Sequence, residues 1–382
     1  MVQKKINIGF VIRDTNWHGG INYFRSLITA IMLKKNKNIK IFLFIPGNSD
    51  IKLFKDFKVK IIKTFFLNEK LFNRIINKLS FRMFKKNIFI EKIFNKHQIN
   101  LLSHSNYTNL KDIKTISWIG DFQYLHFPKF FDKISIMRNK ALHNHLIKES
   151  DAVILSCNYS HIDFKKNYMS HEKKSNILKF VPTVIEPNNL IKLDKIKKKF
   201  NITNNFYFVP NQFWKHKNHM CIFNAIKNLS NKQVYPNIIF TGKLQDHRNP
   251  KYIIKMQKIL NDNQLKNIKY LGELSYIEVC SLMYYSKAVI NPSYFEGWST
   301  SVEESKIYNK ICLLSNIPTH LEQNPPKGKF FNPNTPKELS KLILDIENKK
   351  YYKKKFDRYE YIKKRKSFAD SYIKIVDQLF VG

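Results

Sequence analysis

Short runs of hydrophobic residues alternate with longer mixed segments along the whole chain. This alternation is typical of parallel strands joined by crossover helices, because a parallel strand is buried on both faces and its helix on only one. The pattern predicts two α/β halves. The predicted strands of the first half are Ile6–Ile12, Ile39–Ile45, Leu101–Ser103, Thr115–Trp118, Ala152–Ser156 and Ile177–Val181. Those of the second half are Phe206–Val209, Ile238–Thr241, Ile268–Leu271, Ala288–Ile290, Ile311–Leu314 and Lys329–Phe331.

The join between the halves is predicted where the density of apolar residues drops, near Pro182–Lys195. We expect residues 1–187 and 188–365 to form two Rossmann-like domains, followed by a C-terminal helix over 366–382. Open sheets of this kind bind ligands at the carboxyl ends of their strands, where helix N-termini and loops converge.

The composition excludes a disordered chain, with 43% hydrophobic and 14% aromatic residues. The net charge of +38 comes mainly from lysine, since only 8 of the 67 basic residues are arginine. A nucleic-acid reader would use more arginine for bidentate contacts, so we expect no nucleic-acid partner. Abundant Asn and Ile indicate an AT-rich coding bias as the main source of the charge, and affinity for an anionic membrane surface is the second interpretation.

The cysteines are scattered in apolar runs and do not form the close pairs of a metal site. We predict buried free thiols, as in a reducing cytoplasm, at Cys157, Cys221, Cys280 and Cys312. The first apolar run is too short for a signal peptide, and no run approaches the roughly 20 apolar residues of a membrane span. These features predict a soluble or peripheral protein.

One basic segment, Leu67–Asn100, alternates apolar and cationic residues at helical spacing. Its apolar positions are Leu71, Ile75, Leu79 and Met83. Two interpretations stay open: a helix on an anionic membrane surface, or an ordinary core-facing helix with a lysine-rich solvent face.

The densest candidate chemistry lies in Asn291-Pro-Ser-Tyr-Phe-Glu296-Gly-Trp-Ser-Thr-Ser-Val-Glu-Glu304. The segment follows a predicted strand and leads into a predicted helix, so Glu296 would lie in the turn and Glu304 about two turns into the helix. The two carboxylates would hold hydroxyl groups, with the amides of Thr300, Ser301 and Val302 facing a diphosphate between them. Ser299 is a further candidate for donor binding.

This segment resembles the Glu-x7-Glu signature of retaining GT-B glycosyltransferases, specifically family 4 (glycosyltransferase group 1). Trp298, Ser299 and Ser305 replace the usual Phe, Gly and Ala. The resemblance implies the GT-B fold, with two Rossmann-like domains facing a central cleft and a last helix that crosses back to the first domain. It also implies that Glu304 binds the donor ribose and that Glu296 contacts the transferred sugar.

The loop Asn211-Gln-Phe-Trp-Lys215-His-Lys217-Asn-His219 follows the first strand of the second half. In the resembled family an Arg and a Lys in this loop grip the donor diphosphate. Lys217 matches the lysine, Gln212 replaces the arginine, and Lys215 is the candidate to supply the missing charge. His216 and His219 do not indicate a metal site, because no further residues nearby complete a set of metal ligands.

Three further loops resemble family segments. Gly19-Gly20 follows the first strand and is expected to lie against the donor, and Gly242 belongs to the loop near the base. Asp121 and His126 lie in Trp-Ile-Gly-Asp-Phe-Gln-Tyr-Leu-His, where Gly120 replaces a histidine that many relatives carry. Asp121 and His126 are therefore candidates for catalytic or substrate contacts.

We expect a retaining glycosyltransferase that moves a sugar from a nucleotide-diphosphate sugar to a hydroxyl on a glycan or lipid-linked glycan. No Asp-x-Asp occurs in the sequence, so no metal and no cofactor are predicted. The resemblance implies bacterial surface polysaccharide or lipopolysaccharide synthesis at the inner face of the cytoplasmic membrane. A GT-B nucleotide-sugar epimerase and a non-enzymatic protein that binds polyanions or nucleic acid remain the alternatives.

Overall fold

The computed structural model describes residues 5–15, 18–68, 88–261, 267–348 and 356–380. The chain divides into two compact units. The first comprises Met1–Phe122, Met137–Thr183 and Ile362–Gly382, and the second comprises Gln123–Ile136 and Val184–Tyr361. Within the described ranges, no helix is both long and apolar enough to span a membrane. Leu71, Ile75, Leu79 and Met83 of the basic segment lie outside the described residues.

The first unit is built on a seven-stranded sheet in the order β3-β2-β1-β4-β5-β6-β7, and every neighbouring pair is parallel. Its strands are β1 Ile6–Val11, β2 Ile39–Pro46, β3 Lys60–Thr64, β4 Leu101–Ser103, β5 Lys114–Ile119, β6 Ala152–Leu155 and β7 Ser175–Ile177. Within the described part of residues 1–183, the α-helices are α1 His18–Leu33, α2 Ile88–Lys96, α3 Gln123–His126, α4 Lys133–Glu149 and α5 Asn158–Tyr168. Of these, α3 and the first turn of α4 belong to the second unit.

The second unit is built on a six-stranded sheet in the order β10-β9-β8-β11-β12-β13, again entirely parallel. Its strands are β8 Phe206–Pro210, β9 Asn237–Thr241, β10 Ile268–Tyr270, β11 Ala288–Asn291, β12 Ile311–Ser315 and β13 Gly328–Phe331. The remaining helices are α6 Leu193–Phe200, α7 His219–Ser230, α8 Pro250–Leu260, α9 Tyr276–Tyr285, α10 Thr300–Ile307, α11 Pro318–Gln323, α12 Pro336–Glu347 and α13 Arg358–Gln378.

The central strands of the second sheet are apolar on both faces because helices cover both. One face packs against α7 and α12, where Ile222, Ile226 and Ile343 join Tyr207 and Val209 in a single buried cluster. Helix α9 begins with a capping box, in which Ser275 and Glu278 satisfy each other's backbone amides. These contacts hold the strand ends, and therefore the loops beyond them, in fixed positions.

The predicted α/β class with two parallel sheets is confirmed, and each predicted strand overlaps an observed one. Two differences have physical causes. Strand β3 was not predicted, because this edge strand has half-exposed residues and no clear apolar run. The last strand of the first sheet lies at Ser175–Ile177, earlier than the predicted Ile177–Val181, because residues 178–181 have left the sheet although Leu178 and Phe180 stay buried.

At two places the division into units does not follow the order of the chain. Residues Gln123–Ile136 fall in the second unit although the first unit's sequence surrounds them. Helix α13 begins in the second unit, but from Ile362 onward its residues belong to the first, where Tyr372 is fully buried beside Phe10 and His104. The proposed domain limits of 1–187, 188–365 and 366–382 stay a prediction.

Candidate functional site

Three loops of the second unit leave neighbouring strands at the same edge of the sheet. Strand β8 lies between β9 and β11, so the loops after Pro210, Thr241 and Asn291 are adjacent. All strands are parallel, and these loops therefore collect at the carboxyl edge, where open sheets bind ligands. The predicted residues Gln212, Lys215, Lys217, Gly242 and Glu296 lie on them.

An ion pair joins the first and third of these loops. The Lys217 Nζ donates to both carboxylate oxygens of Glu296, at 2.7 and 2.9 Å. The Ser293 hydroxyl donates to Glu296 Oε1 at 2.6 Å, and the Thr319 hydroxyl donates to the Glu296 carbonyl at 2.7 Å. The carboxylate of Glu296 is therefore held at a fixed place in the turn between β11 and α10.

The electrostatics of Glu296 follow from this pairing. Burial on its own raises the pKa of Glu296, but the Lys217 ammonium, with smaller effects of His320 and His216, outweighs burial and lowers the pKa to about 2. Glu296 is thus ionised throughout the neutral range. A fixed negative charge at this position can accept hydrogen bonds from hydroxyl groups and stabilise a developing positive charge.

A network of short polar side chains surrounds the N-terminus of α10. The Asn291 amide donates to the Ser299 hydroxyl at 2.9 Å, and Asn291 Oδ1 lies 2.6 Å from the Ser293 hydroxyl as an alternative acceptor to Glu296. The amide of Gln323 donates to the Ser299 carbonyl at 2.9 Å and to Glu303 at 2.9 Å. Because Ser299 is the N-cap residue, these bonds fix the point at which the helix and its free amides begin.

Glu304 lies inside the same helix, buried beside α9. The Tyr276 hydroxyl donates to Glu304 Oε1 at 2.8 Å. Burial raises the pKa of Glu304 to about 7, and the hydrogen bond from Tyr276 offsets only part of that effect. The two carboxyls thus differ sharply: Glu304 changes its protonation state near pH 7, whereas Glu296 is ionised throughout the neutral range.

Gly242 allows the loops after β8 and β9 to touch. Its φ is +116°, and a Cβ at this position would lie 2.6 Å from the Asn211 carbonyl oxygen. Phe213 N donates to the Lys243 carbonyl at 3.0 Å, and the Tyr270 hydroxyl donates to the Gly242 carbonyl at 2.8 Å. The side chain of Gln212 accepts from Trp214 Nε1 at 2.8 Å.

A buried carboxylate fixes Lys215 to the loop after β9. Asp246 accepts from Lys215 N at 2.9 Å, from Arg248 N at 3.0 Å and from Asn249 Nδ2 at 3.1 Å. The Lys215 ammonium lies over the ring of Phe130, 5.2 Å from its centroid. Lys215 is therefore placed beside segment 123–136.

His126 belongs to that segment and packs on the loop of Glu296. Its ring stacks on Phe295 with centroids 5.4 Å apart, and Phe127 meets the same ring edge-on. This contact places His126 against the residue before Glu296. A catalytic role for His126 stays a prediction.

The other predicted residues belong to the first unit. Gly19 and Gly20 lie in the first turn of α1, after β1, and Asp121 follows β5. All three therefore lie at the carboxyl edge of the first unit's own sheet. Their participation in donor or acceptor binding stays a prediction.

Three histidines near the site, His216, His219 and His320, have lowered pKa values and are therefore neutral at pH 7. Burial, with Lys217 next in effect, lowers the pKa of His216 to about 3, and burial lowers that of His320 to about 4. His219 stacks on Phe213 with centroids 4.0 Å apart. In the described part of the chain, no group of three or more His, Cys, Asp or Glu side chains is arranged to hold a metal ion. The four cysteines are buried free thiols, as predicted.

Sequence reasoning missed three residues that organise these loops. Asp246 and Arg248 lie in the loop after β9, and Asn218 donates from its amide to the carbonyls of Pro292 and Pro333 at 3.1 and 3.0 Å. The sequence signal for Asp246 was an acidic residue shortly after the end of a predicted strand. Nothing in the local pattern marks Asn218, whose φ of +54° and distant partners are set by the fold.

Comparisons with known proteins agree with this geometry. Residues 192–365 match the family model of glycosyl transferases group 1. The O-antigen chain mannosyltransferase RfbU of Salmonella typhimurium is 26% identical over 257 residues, an alignment that covers 66% of this chain and 63% of that protein. This chain therefore spans less than two thirds of the length of that relative.

Solved structures resemble the whole described fold. Sucrose-phosphate synthase from Thermosynechococcus elongatus has a TM-score of 0.69 at 11% identity and covers 98% of this chain and 99% of its own. HepE of Anabaena, solved in complex with UDP-glucose, has a TM-score of 0.66 at 13% identity, with 98% and 99% covered. With two parallel α/β units and these neighbours the fold is GT-B, and the second unit carries the match to the family model of glycosyl transferases group 1.

Proposed function

We propose that this protein is a retaining, metal-independent glycosyltransferase that moves a sugar from a nucleotide-diphosphate sugar to a hydroxyl acceptor. The observation that carries the proposal is the buried Lys217–Glu296 pair at the carboxyl edge of the second sheet, in the turn that leads to α10. A plain structural ion pair would not need a helix N-terminus, a second buried carboxyl and a glycine-dependent loop contact around it.

Glu304 is the group proposed to bind the donor ribose. Its carboxyl is buried, and its pKa is raised to about 7 by that burial. Such a group can accept a hydrogen bond from one hydroxyl and, when protonated, donate to another. Each hydroxyl of a diol can donate and accept a hydrogen bond. The ribose diol is therefore a better partner for this carboxyl than a phosphate is.

Glu296 is proposed to contact the transferred sugar. In the front-face mechanism implied by the family resemblance, the bond between the anomeric carbon and the phosphate oxygen breaks while the acceptor oxygen attacks from the same face. The leaving phosphate takes the acceptor proton, so no protein nucleophile is needed. The ionised Glu296 would stabilise the positive charge that develops at the anomeric carbon, and Lys217 with the α10 amides would stabilise the departing phosphate.

The setting proposed is synthesis of a bacterial surface polysaccharide or lipopolysaccharide, with a glycan or lipid-linked glycan as acceptor. RfbU is named as an O-antigen chain mannosyltransferase, which supports this setting and a hexose as the transferred sugar. HepE was solved with UDP-glucose, which supports a nucleotide-diphosphate sugar as donor. We propose a cytoplasmic location, peripheral at the inner membrane face.

The first test is thermal stabilisation of the purified protein by UDP, GDP, ADP and CMP and by their common sugars. A ligand that binds only the folded state raises stability by about 2.7 kcal/mol at a hundredfold excess over its Kd. We expect one nucleotide family to stabilise the wild type and to lose that effect in Glu304→Ala. The anomeric configuration of the product, determined by NMR, and activity in the presence of EDTA then test retention and metal independence.

Glu303→Gln is the matched control, because Glu303 is a buried carboxylate in the same helix that pairs with Lys306 and Gln323. It is expected to lower the melting temperature but to keep the ligand-induced increase. Absence of any response to nucleotide sugars, together with salt-sensitive polyanion binding, would contradict the glycosyltransferase proposal. Formation of an epimer without any acceptor would favour the epimerase instead.

A further inference from the structure

Helices α4 and α5 cover the same face of the first sheet. They connect β5 to β6 and β6 to β7, three strands that follow one another in the sheet. Because parallel crossovers are right-handed, two successive crossovers in one direction place both helices on one face. The ring of Phe122 contacts both, with its centroid 5.2 Å from that of His143 in α4 and 6.2 Å from that of Tyr168 in α5. The outer sides of the two helices therefore turn away from the sheet in the same direction.

The outer side of α5 carries apolar and basic residues together. Positions i, i+3, i+4 and i+7, which form one face of a helix, are occupied by Ile162, Lys165, Lys166 and Met169. The last of these directly follows α5 and keeps helical dihedrals. Ile162 is 61% exposed and Met169 is 75% exposed, whereas Phe164 is fully buried on the opposite side. Two large apolar side chains thus stay largely uncovered on one helix face.

Helix α4 shows the same combination. Of its 17 residues, only Leu146 and Ile147 are buried. In the part of the helix that belongs to the first unit, Met137 is 71% exposed and Leu142 is 40% exposed. Arg138 lies next to Met137 and one turn before Leu142, so a basic residue again accompanies the apolar ones.

The outer sides of α4 and α5 over residues 137–173, which we call the α4–α5 surface, have one sign of charge. Single exposed hydrophobic residues are common, but here four lie on two adjacent helices. The exposed basic residues around them are Arg138, Lys140, Lys148, Lys165, Lys166 and Lys173. Of the acidic residues in this described range, Asp163 is buried and Glu172 is paired with Lys165 at 2.6 Å. Glu149 and Asp151 are half-buried.

A partner for the α4–α5 surface must therefore accept apolar side chains and carry negative charge. The interface of an anionic lipid bilayer has both properties, because apolar side chains enter between the headgroups while basic side chains attract the anionic lipids. Lysine and arginine suit this position, since their stems lie along apolar surface and their charged ends reach the headgroups. A nucleic acid would match the charge through its phosphates but would give the four apolar side chains no comparable environment.

We propose that the α4–α5 surface docks the protein on an anionic lipid bilayer, with Met137, Leu142, Ile162 and Met169 inserted at the level of the headgroups. Two neighbouring helices on one face of a sheet can lie together on a flat membrane surface. The inference assigns a surface to the peripheral location proposed above. It does not depend on the glycosyl-transfer reaction.

The test measures co-sedimentation of the purified protein with vesicles of phosphatidylcholine alone and of phosphatidylcholine with about one third phosphatidylglycerol. We expect binding to the anionic vesicles only. Ile162→Ser/Met169→Ser leaves the net charge at +38 and is expected to weaken this binding about tenfold or more, because both side chains lose their burial in lipid. Lys140→Gln/Lys166→Gln, with one basic residue from each helix, is expected to weaken it about tenfold as well.

Met32→Ser/Ile51→Ser is the matched control, because it replaces the same two residue types at exposed positions of the same unit. Met32 lies in α1, between β1 and β2, and Ile51 lies between β2 and β3. These connections run along the sheet in the opposite direction to those of α4 and α5, so they lie on its other face. The control pair should bind vesicles as the wild type does.

Wild-type affinity of Ile162→Ser/Met169→Ser for anionic vesicles, or an equal loss in the control pair, would overturn the inference, because general charge attraction would then explain the binding. Equal binding to both kinds of vesicle, or binding to neither, would overturn it too. A dimer that the serine pair dissociates, without vesicle binding, would assign the surface to a second copy of the chain instead. Nucleotide affinity of the serine pair should equal that of the wild type, so failure of docking and failure of the proposed function give different results.

Discussion

The Lys217–Glu296 pair illustrates how a buried charge can be required for binding and costly when left alone. Each partner satisfies the other, so removing only Lys217 would leave an ionised carboxylate in a buried turn. The pair is thus weak evidence for stability but strong evidence for a defined site. Its two residues come from loops 79 positions apart, and only the fold brings them together.

A double-mutant cycle tests this pairing. Lys217→Met is expected to destabilise the second unit by about 3–5 kcal/mol, because Glu296 loses its counter-charge. Adding Glu296→Gln should recover part of that loss, since the unpaired charge is then removed. Calorimetry of the single and double variants measures the coupling. Additive effects would show that the two side chains do not depend on each other.

The raised pKa of Glu304 predicts a pH dependence with a definite sign. The folded protein keeps the proton of Glu304 up to about pH 7, whereas the unfolded chain loses it near 4.5. Between these values the folded state binds more protons, so stability falls as pH rises through this window, by at most about 3 kcal/mol from this group. Above about pH 7, Glu304 no longer makes the stability depend on pH.

Glu304→Gln removes the titrating group while keeping a hydrogen-bond acceptor for Tyr276. The melting temperature of the wild type, relative to that of this variant, should therefore drop as pH rises from about 4.5 to about 7. Melting curves of both proteins across this range measure the difference. A constant difference would show that Glu304 titrates normally. Glu296 acts in the opposite sense: its depressed pKa gives stability that is lost as pH falls from 4.5 to about 2.

At the scale of elements, the contact between the loops after β8 and β9 depends on one backbone conformation. Gly242→Ala places a methyl group 2.6 Å from the Asn211 carbonyl at a φ of +116°, so the loop must move. We expect a loss of about 1–3 kcal/mol and weaker nucleotide binding, because Gln212 and Phe213 shift with the loop.

Gly272→Ala provides the comparison, measured by melting temperature and by nucleotide titration. Gly272 also has a positive φ, of +69°, but a Cβ there meets nothing within 4 Å. We expect Gly272→Ala to lower the free energy of unfolding by only about 1 kcal/mol, the cost of a positive φ for a residue with a Cβ, and to retain nucleotide binding. Equal effects of the two substitutions would mean that the close approach to Asn211 is unimportant.

Most elements were predictable because buried parallel strands are continuous apolar runs. The Glu296–Glu304 segment was equally predictable, because the strand, the turn and the start of the helix follow one another directly in the sequence. The edge strand β3 was missed because Lys60, Lys63 and Thr64 dilute its apolar signal. The contacts of the Arg248 guanidinium with the rings of Phe131 and Trp214 could not be predicted, because both aromatic residues lie far from Arg248 along the chain and meet it only in the folded unit.

At the scale of the whole molecule, the last helix completes a unit that begins at the other end of the chain. Phe368, Ala369, Tyr372 and Val376 are buried in the first unit. Tyr372→Ala should therefore destabilise that unit by about 3–5 kcal/mol. Tyr359→Ala, in the same helix but 80% exposed, should have little effect. Similar melting curves for both variants would show that α13 contributes nothing essential to the first unit.

This arrangement has a consequence for synthesis on the ribosome. Strands β1 to β7 emerge early, but the helix that covers Phe10 and His104 emerges only after the whole of Val184–Tyr361 has been made. Segment Gln123–Ile136 likewise emerges before the unit to which it belongs. The first unit cannot finish folding in the order of translation before α13 has left the ribosome, and until then the growing chain must keep apolar surface uncovered.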